Sequence, residues 1–397
     1  MTIFQVSDKA RFDLVVVVLA LLTAFGPLSI DMYLPAFGDI AASYQTESNR
    51  VELSLTSFFL GLFIGQLLYG TASDRFGRKP PLYFGLVLYV ATSIACAFAP
   101  SLEWLIVLRF LQAIGSCAGL VIARAMVRDL YTPQASAQVF SFLILVMGIA
   151  PILAPLAGAY VTAALGWQAI FMIVAALGVA SLAVVHVRLP ETRLPNKSIR
   201  MRASLPIYWQ VLKDPSFLRY SLSGGIAQSG MFAYITASPL VFIEHFGLAP
   251  TAYSWLFGAN AIGIIAMAQL NAWLLRRRDS RKILNHSLPI LGLVSVLLIV
   301  AGWNNFGLIG VLVPLFLYVS TLGMVFPNAM AGALAEQQER AGSASAVTGS
   351  LQFLIAGCIS ALVNLLGRQH PLAMVFVMGG CGLTALVIYR LLRRQPA

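Results

Sequence analysis

Long apolar runs alternate with short polar breaks along the whole chain. Twelve candidate spans lie near 12–36, 51–72, 82–99, 103–123, 138–163, 168–187, 217–243, 252–275, 286–303, 306–333, 345–366 and 371–390. Most hold 18 or more residues, the length a helix needs to cross a hydrocarbon layer of ~30 Å, whereas buried helices of soluble proteins give apolar runs of roughly 10 to 14. Lipid offers no partner to an open backbone, so spanning segments are helices or closed barrels. Barrel strands would show as alternating segments of ~10 residues, and the chain has none. The pattern predicts an all-α integral membrane protein with twelve transmembrane helices.

Composition agrees. Hydrophobic residues make up 59% of the chain and charged residues 10%, against about 25% charged in a typical soluble domain. The run from Phe12 follows Lys9 and Arg11 as in a secretory signal. It exceeds the ~7 to 15 apolar residues of such a signal and reads as a retained first span.

The charges decide orientation. Twelve spans place both termini on one side. One set of loops holds Lys9 and Arg11, Arg75, Arg78 and Lys79, Arg124 and Arg128, seven basic residues from Arg188 to Arg219, the cluster Arg276–Lys282, Arg340, and Arg390, Arg393 and Arg394. The other set holds Arg50 and Arg368. Basic loops are cytoplasmic, so both termini are expected inside. This distribution accounts for the net charge of +11 without nucleic acid as a partner.

The longest loop, 188–216, contains Pro190, Pro195 and Pro206. It reads as a cytoplasmic linker between an N-terminal six-helix bundle (1–187) and a C-terminal one (217–397). An internal echo supports this division. A shift of 203 residues aligns Gln66-Leu67 with Gln269-Leu270, Arg75 with Arg278, and Arg78-Lys79 with Arg281-Lys282. The second copy places Trp273 at Gly70, Arg277 at Asp74 and Ser280 at Gly77. Parallel repeats with a site near the midplane are one transporter architecture.

Asp31 is the deepest carboxylate in the sequence. Counted from Phe12, it lies about 28 Å along a helix that continues past Pro35, and Arg109 lies about 9 Å below Glu103 at the outer end of the fourth span. The two reach comparable depth from opposite ends. A charge in the membrane core costs at least ~2.5 to 3.5 kcal/mol and usually faces a cavity or a partner. A fixed Asp31–Arg109 pair that joins helices is one reading. The other makes Asp31 a proton-coupling or cation-recognising group, with Arg109 tuning it. Glu52, Glu103 and Glu244 fall at outer span ends, where solvated or interfacial positions are expected.

Gln112 follows Arg109 on the same helix face. Met147, Tyr234, Asn260 and Asn328 complete the candidates for a cavity wall, with packing or interhelical hydrogen bonds as the alternative for each. Sparse charge and apolar walls suit amphiphilic or lipophilic small molecules better than sugars or phosphorylated metabolites. Cys96, Cys117, Cys358 and Cys381 stand singly, which supports neither a metal site nor a disulfide framework. No metal or cofactor is expected. An enzyme would need a cluster of nucleophile, base or metal ligands, and a selective channel a charged ring or filter loop; neither is visible.

Four motifs carry a family resemblance. Gly70-x-x-x-Asp74-Arg75-Phe76-Gly77-Arg78-Lys79, between the second and third spans, resembles the signature of the major facilitator superfamily. Leu28-Ser29-Ile30-Asp31-Met32-Tyr33-Leu34-Pro35 looks like the bicyclomycin and chloramphenicol resistance group of its drug/proton antiporters. Arg109-Phe110-Leu111-Gln112-Ala113-Ile114-Gly115 is similar to the Arg-x-x-Gln-Gly-x-Gly signature, with Ala113 at its first glycine. Ala154-Pro155-Leu156-Ala157-Gly158-Ala159 resembles the antiporter Gly-Pro-x-x-Gly-Gly motif, with alanine at two glycine positions.

The resemblance implies a proton-coupled multidrug exporter of the bacterial inner membrane, with drugs, protons and the bilayer as partners. A transporter of a single metabolite is the alternative. The turn of Gly70, Asp74, Arg75, Gly77, Arg78 and Lys79, an anion among cations with Arg124 or Arg128 to pair Asp74, reads as a cytoplasmic latch that favours the outward-facing state; the alternative is that these charges only enforce topology.

Overall fold

The computed structural model describes residues 14–195, 204–335, 337, 341–367 and 372–392. Lys9, Arg11, Lys197, Arg200, Arg202, Arg340, Arg368, Arg393 and Arg394, part of the charge pattern above, lie outside them, as do both termini. Among the described residues there are helices and turns, one isolated bridge residue and no extended strand. Twelve helical segments are long and apolar enough to cross a membrane, and all twelve coincide with the spans read from hydropathy.

The first span is the exception to a simple rod. It runs as α1 (Leu14–Asp31), a 3₁₀ turn (Leu34–Ala36) and α2 (Phe37–Ser43). The α-helical ladder stops after the Met32 N–H donates to the Leu28 carbonyl (3.2 Å), and the next N–H, of Tyr33, reaches Ile30 (3.2 Å). Pro35 sits in the first turn of the 3₁₀ segment, where it has no N–H to contribute and disfavours an α conformation before it. The continuous helix expected through Pro35 is therefore broken immediately after Asp31.

The other helices are α3 (Ser48–Phe76), α4 (Lys79–Ala97), α5 (Leu102–Leu130), α6 (Pro133–Leu165) and α7 (Gln168–Arg188). Then follow α8 (Ser204–Leu212), α9 (Pro215–Pro239), which continues as a π turn (Leu240–His245), and α10 (Pro250–Leu274). The last are α11 (Ser280–Trp303), α12 (Gly307–Ala335), α13 (Ala341–Gly367) and α14 (Ala373–Leu391). Their ends follow local chemistry. The Ser101 hydroxyl accepts from the Trp104 N–H (3.5 Å), and the Asp214 carboxylate from the N–H groups of Ser216 (2.8 Å) and Phe217 (3.3 Å). Such caps satisfy donors that a helix start leaves free.

The chain divides into two compact units, one of residues up to Ile40 with Ser57–Ser204, the other of Ala41–Thr56 with Leu205 onward. In the first, α1 packs on α5, α6 and α7, and α4 on α5 and α7. In the second, α9 packs on α12, α13 and α14, and α11 on α12 and α14. The neighbour scheme is the same under the substitution of α9 for α1, α11 for α4, and so on. This is what the weak echo between Gln66–Lys79 and Gln269–Lys282 suggests.

Close approach rests on glycine. A Cβ on Gly115 would lie 2.6 Å from the backbone N of Tyr89 in α4, and one on Gly119 2.6 Å from the carbonyl of Leu22 in α1. The two small positions thus seat α5 against two different neighbours.

Candidate functional site

Arg109 is the largest fully buried side chain among the described residues, and its partners belong to the first unit. Its Nη1 donates to Gln112 Oε1 (2.7 Å) and its Nη2 to the Ser29 carbonyl (2.9 Å). Gln112 passes the chain on, donating from Nε2 to Ser93 Oγ (2.7 Å), whose hydroxyl donates to the Tyr89 carbonyl (2.6 Å). Tyr89 Oη in turn shares a hydrogen bond with Ser29 Oγ (2.8 Å) and stacks its ring on Phe25 at 4.7 Å. The guanidinium carbon lies 4.4 Å from the ring centre of Phe58, 4.6 Å from Tyr33 and 5.7 Å from Phe171. Aromatic faces of this kind stabilise a desolvated cation. The helix spacing of Arg109 and Gln112 does put them on one face, as expected.

Asp31 is not part of that network. It is the last residue of α1 and only 3% exposed. Among the described residues, no hydrogen bond or ion pair reaches its carboxylate; Arg109 donates from Nη1 and Nη2 to Gln112 and Ser29, and its buried Nε has no partner. The fixed Asp31–Arg109 pair, one of the two readings of the sequence, is thus absent in this structure: Arg109 holds the backbone two residues before Asp31 rather than its side chain. The carboxylate also lies at the negative end of the α1 dipole. The broken segment is clamped from α6, because a Cβ on Gly158 would collide with the Met32 carbonyl. The near-motif around Pro155 therefore has a local purpose at the Asp31 break.

The remaining cavity candidates fall into separate places. Met147 faces Arg124, whose Nη2 is 4.0 Å from its sulfur. In the second unit, Asn260 Nδ2 donates to Tyr234 Oη (3.0 Å), and Tyr234 stacks on Phe257 at 5.3 Å. Asn328 Nδ2 instead donates to Asn271 Oδ1 (2.6 Å) and to the Met324 carbonyl (2.7 Å). Among the described residues there is no group of His, Cys, Asp and Glu that could hold a metal.

The basic turn is a network, with partners other than those expected. Arg78 Nη1 donates to Asp74 Oδ1 (2.8 Å) and to Ser73 Oγ (2.9 Å), and its Nε to Asp129 Oδ2 (2.8 Å). Asp74 also takes Arg193 Nη1 (2.9 Å). Arg124 turns to Met147, and Asp74 forms its ion pairs with Arg78 and Arg193 rather than with Arg124 or Arg128. Burial works against the charge on Arg78, but the hydrogen bonds and charges of Asp129 and Asp74 outweigh it and hold the guanidinium above its ordinary range.

Glu191 is a further member. Its carboxylate accepts the backbone N–H groups of Arg78 (2.7 Å) and Lys79 (3.0 Å), capping the start of α4 where an anion is favoured. Gly77 adopts φ +88° beside it, and a Cβ there would come within 2.9 Å of Glu191 Oε2. Lys79 Nζ donates to the Leu189 carbonyl (2.7 Å), while Arg75 stacks on Phe76 at 5.2 Å. Gly70 faces open space. The sequence pattern singles out neither Asp129 nor Glu191: the one is a lone acid ending a span, the other lies in a linker whose return to the turn no local pattern announces.

The second copy of the turn has one acid, Asp279, an exposed residue whose Oδ2 lies 3.9 Å from Lys282 Nζ. Arg281 donates from Nε to Tyr220 Oη (2.9 Å), and Arg277 stacks on Trp273 at 5.3 Å.

Glu52 corrects another expectation. It is 1% exposed, whereas Glu103 and Glu244 are exposed, as acids at span ends are expected to be.

The profile of the Major Facilitator Superfamily matches residues 19–361. The chain belongs to this superfamily. Among relatives, it is 31% identical over 372 residues to the chloramphenicol resistance protein of Pseudomonas aeruginosa, covering 90% of this chain and 86% of that one. It is 28% identical over 384 residues to the bicyclomycin resistance protein homolog of Haemophilus influenzae, covering 96% of both. Its fold matches the crystal structure of a D-xylose-proton symporter with a TM-score of 0.74 at 14% identity, over 95% of this chain and 96% of that one. The chain is a multi-pass membrane protein of the superfamily's transporter fold, and its family is one of membrane transporters rather than enzymes.

Proposed function

We propose that this superfamily member is a proton-coupled exporter of amphiphilic or lipophilic antibiotics, resident in the bacterial inner membrane with both termini cytoplasmic. The observation that carries the reading is Asp31: a buried carboxylate at a helix break, with no cation or donor beside it among the described residues. An ionised carboxylate so placed lacks compensation, and binding a proton removes the charge. The relatives named for chloramphenicol and bicyclomycin resistance support drugs as the substrate class.

In the proposed cycle, a proton entering from outside neutralises Asp31 and displaces the drug. Its release inside readies the site for the next drug, and the protein alternates between outward and inward access. Arg109 and Gln112 act by fixing the backbone that presents Asp31. Tyr234, Asn260, Asn328 and Met147 are candidate wall positions. The network of Asp74, Arg78, Asp129 and Glu191 latches the cytoplasmic end, and its breakage accompanies inward opening.

The test is transport in proteoliposomes with an imposed pH gradient, across a panel of antibiotics and dyes. Gradient-dependent movement of several unrelated compounds supports the reading. Transport of one metabolite alone, or flux that never runs uphill, overturns it.

A further inference from the structure

We propose that Glu52 is a second proton-binding site of the transport cycle, where the proton-bound acid holds the start of α3 against the end of α13 and loss of the proton lets the two part. The proposal rests on the reading of the chain as a proton-coupled transporter, but not on the role of Asp31.

Glu52 lies near the start of α3, the end remote from Arg78. Its Oε2 accepts from Asn364 Nδ2 (3.2 Å), near the end of α13, and that same amide also donates to the Asn49 carbonyl. Its Oε1 is buried and has no partner. One turn further along α3, Thr56 Oγ1 shares a hydrogen bond with Ser360 Oγ (2.7 Å), which also takes Thr236 Oγ1 of α9 (3.0 Å). A ladder of neutral polar groups thus joins α3, α13 and α9, with a single acid at its end.

Among the described residues no cation pairs with that acid. The charged group that acts on it from the π turn is another carboxylate, Glu244, and His245 next to it is exposed. Glu47, on the approach to α3, accepts from Asn49 Nδ2 (3.0 Å), and Arg50 is exposed. From α13 and α9 the facing groups are the neutral Asn364, Ser360 and Thr236. Arg368 and His370 lie outside the described residues. The Asn364 amide compensates one oxygen of an ionised Glu52, but the other is buried and bare, and burial of an incompletely compensated charge favours the neutral group. With a proton bound the charge is gone, and Oε2 still accepts from Asn364.

Placement makes this mechanically useful. Within α3, the residues up to Thr56 belong to the same compact unit as α9 and α13 and those from Ser57 to the other unit, so the tie at Glu52 holds the start of α3 in the unit of α9 and α13. A proton on Glu52 therefore bears on whether that tie holds.

Spin labels on Ser48→Cys at the start of α3 and Leu366→Cys at the end of α13, in a chain whose four natural cysteines are replaced, report the separation by electron-electron resonance in nanodiscs. The parent is expected to hold a short distance at acidic pH and to gain a longer one as pH rises. Glu52→Gln, a neutral mimic of the proton-bound acid, is expected to stay short at every pH, and Glu52→Asp to keep the change. Asn364→Leu retains the acid but removes the donor that ties it shut. The closed form is weakened, and the midpoint of opening is expected to move about one pH unit toward acid, the scale of one lost hydrogen bond. A pH-independent distance in the parent, or the parent's curve unchanged in Glu52→Gln or Asn364→Leu, overturns the proposal. Asp31→Asn is expected to keep the change. If Asp31→Asn retained full gradient-driven export, the reading of Asp31 would fall while the Glu52 result stood; an absent distance change with export blocked by Asp31→Asn would sink only the proposal for Glu52.

Discussion

Arg109 donates to the carbonyl of Ser29 at 2.9 Å, two residues short of Asp31, and among the described residues no cation pairs with the Asp31 carboxylate. The arrangement separates two tasks that a direct ion pair would merge. Arg109 fixes the end of α1, and in the proposed cycle Asp31 is the group that changes its charge. Asp31→Asn is therefore expected to abolish drug movement driven by a pH gradient while retaining drug binding, because the amide keeps the shape of the side chain and cannot ionise. Gradient-driven uptake into everted vesicles, paired with binding in detergent, checks this. Full export by Asp31→Asn would exclude it as the coupling group.

Arg109 itself is expected to be intolerant even of lysine. Its donations run to Gln112 and Ser29, and its flat cation sits against Phe58 and Tyr33. A lysine ammonium reproduces neither the fork nor the stacking plane. Arg109→Lys should lower thermal stability by about 1–3 kcal/mol, the cost of leaving buried polar groups unpaired, and reduce transport at least tenfold. Arg109→Lys with wild-type melting and transport would show that the guanidinium geometry is not needed.

Much of this architecture is legible in the sequence because membrane length leaves little freedom. The spans must be long and apolar, and the Arg-rich loops stand out against them. The site is less legible. Pro35 hints at a break, but the end of α1 at Asp31 also depends on α6, whose Gly158 accepts the Met32 carbonyl against its bare Cα. Glu52 occupies a span-end register that suggests solvent. Its hydrogen-bond partner, Asn364, is 312 residues away along the chain, a contact that no local period encodes. The turn at Arg78 advertises its cations, while its anions come from Asp129 and from Glu191 in the linker.

The latch is expected to be asymmetric between the two copies of the turn. Asp74 bridges Arg78 and Arg193, whereas Arg277 in the aligned position stacks on Trp273. Asp74→Asn removes an anion shared by two cations and should impair transport more than Arg277→Asn at equal expression. Glu191→Gln should fall between them, because an amide oxygen can still accept one of the two backbone N–H groups at the start of α4. Comparable losses in all three would assign these residues to folding or topology rather than to a latch. Since Arg78 is held above its ordinary range, its cation is present at every pH below that range and lost only above it. Pairing with Asp74 should therefore not fail through Arg78 as the medium is made alkaline within the range used for transport.

Gly158 offers a test of the helix break without touching a charge. A methyl group there would run into the Met32 carbonyl, which is backbone and has no rotamer to yield. Gly158→Ala must push α6 from the segment that follows Asp31 or straighten that segment. Either change moves the carboxylate, so export should fall several-fold while the protein stays monodisperse. In the same helix, Ala159 is also buried but already carries a Cβ, and Ala159→Gly should leave export nearly unchanged. Drug export and thermal melting measured side by side check the pair. Normal export by Gly158→Ala would mean that the close contact at Met32 is incidental to the role of Asp31.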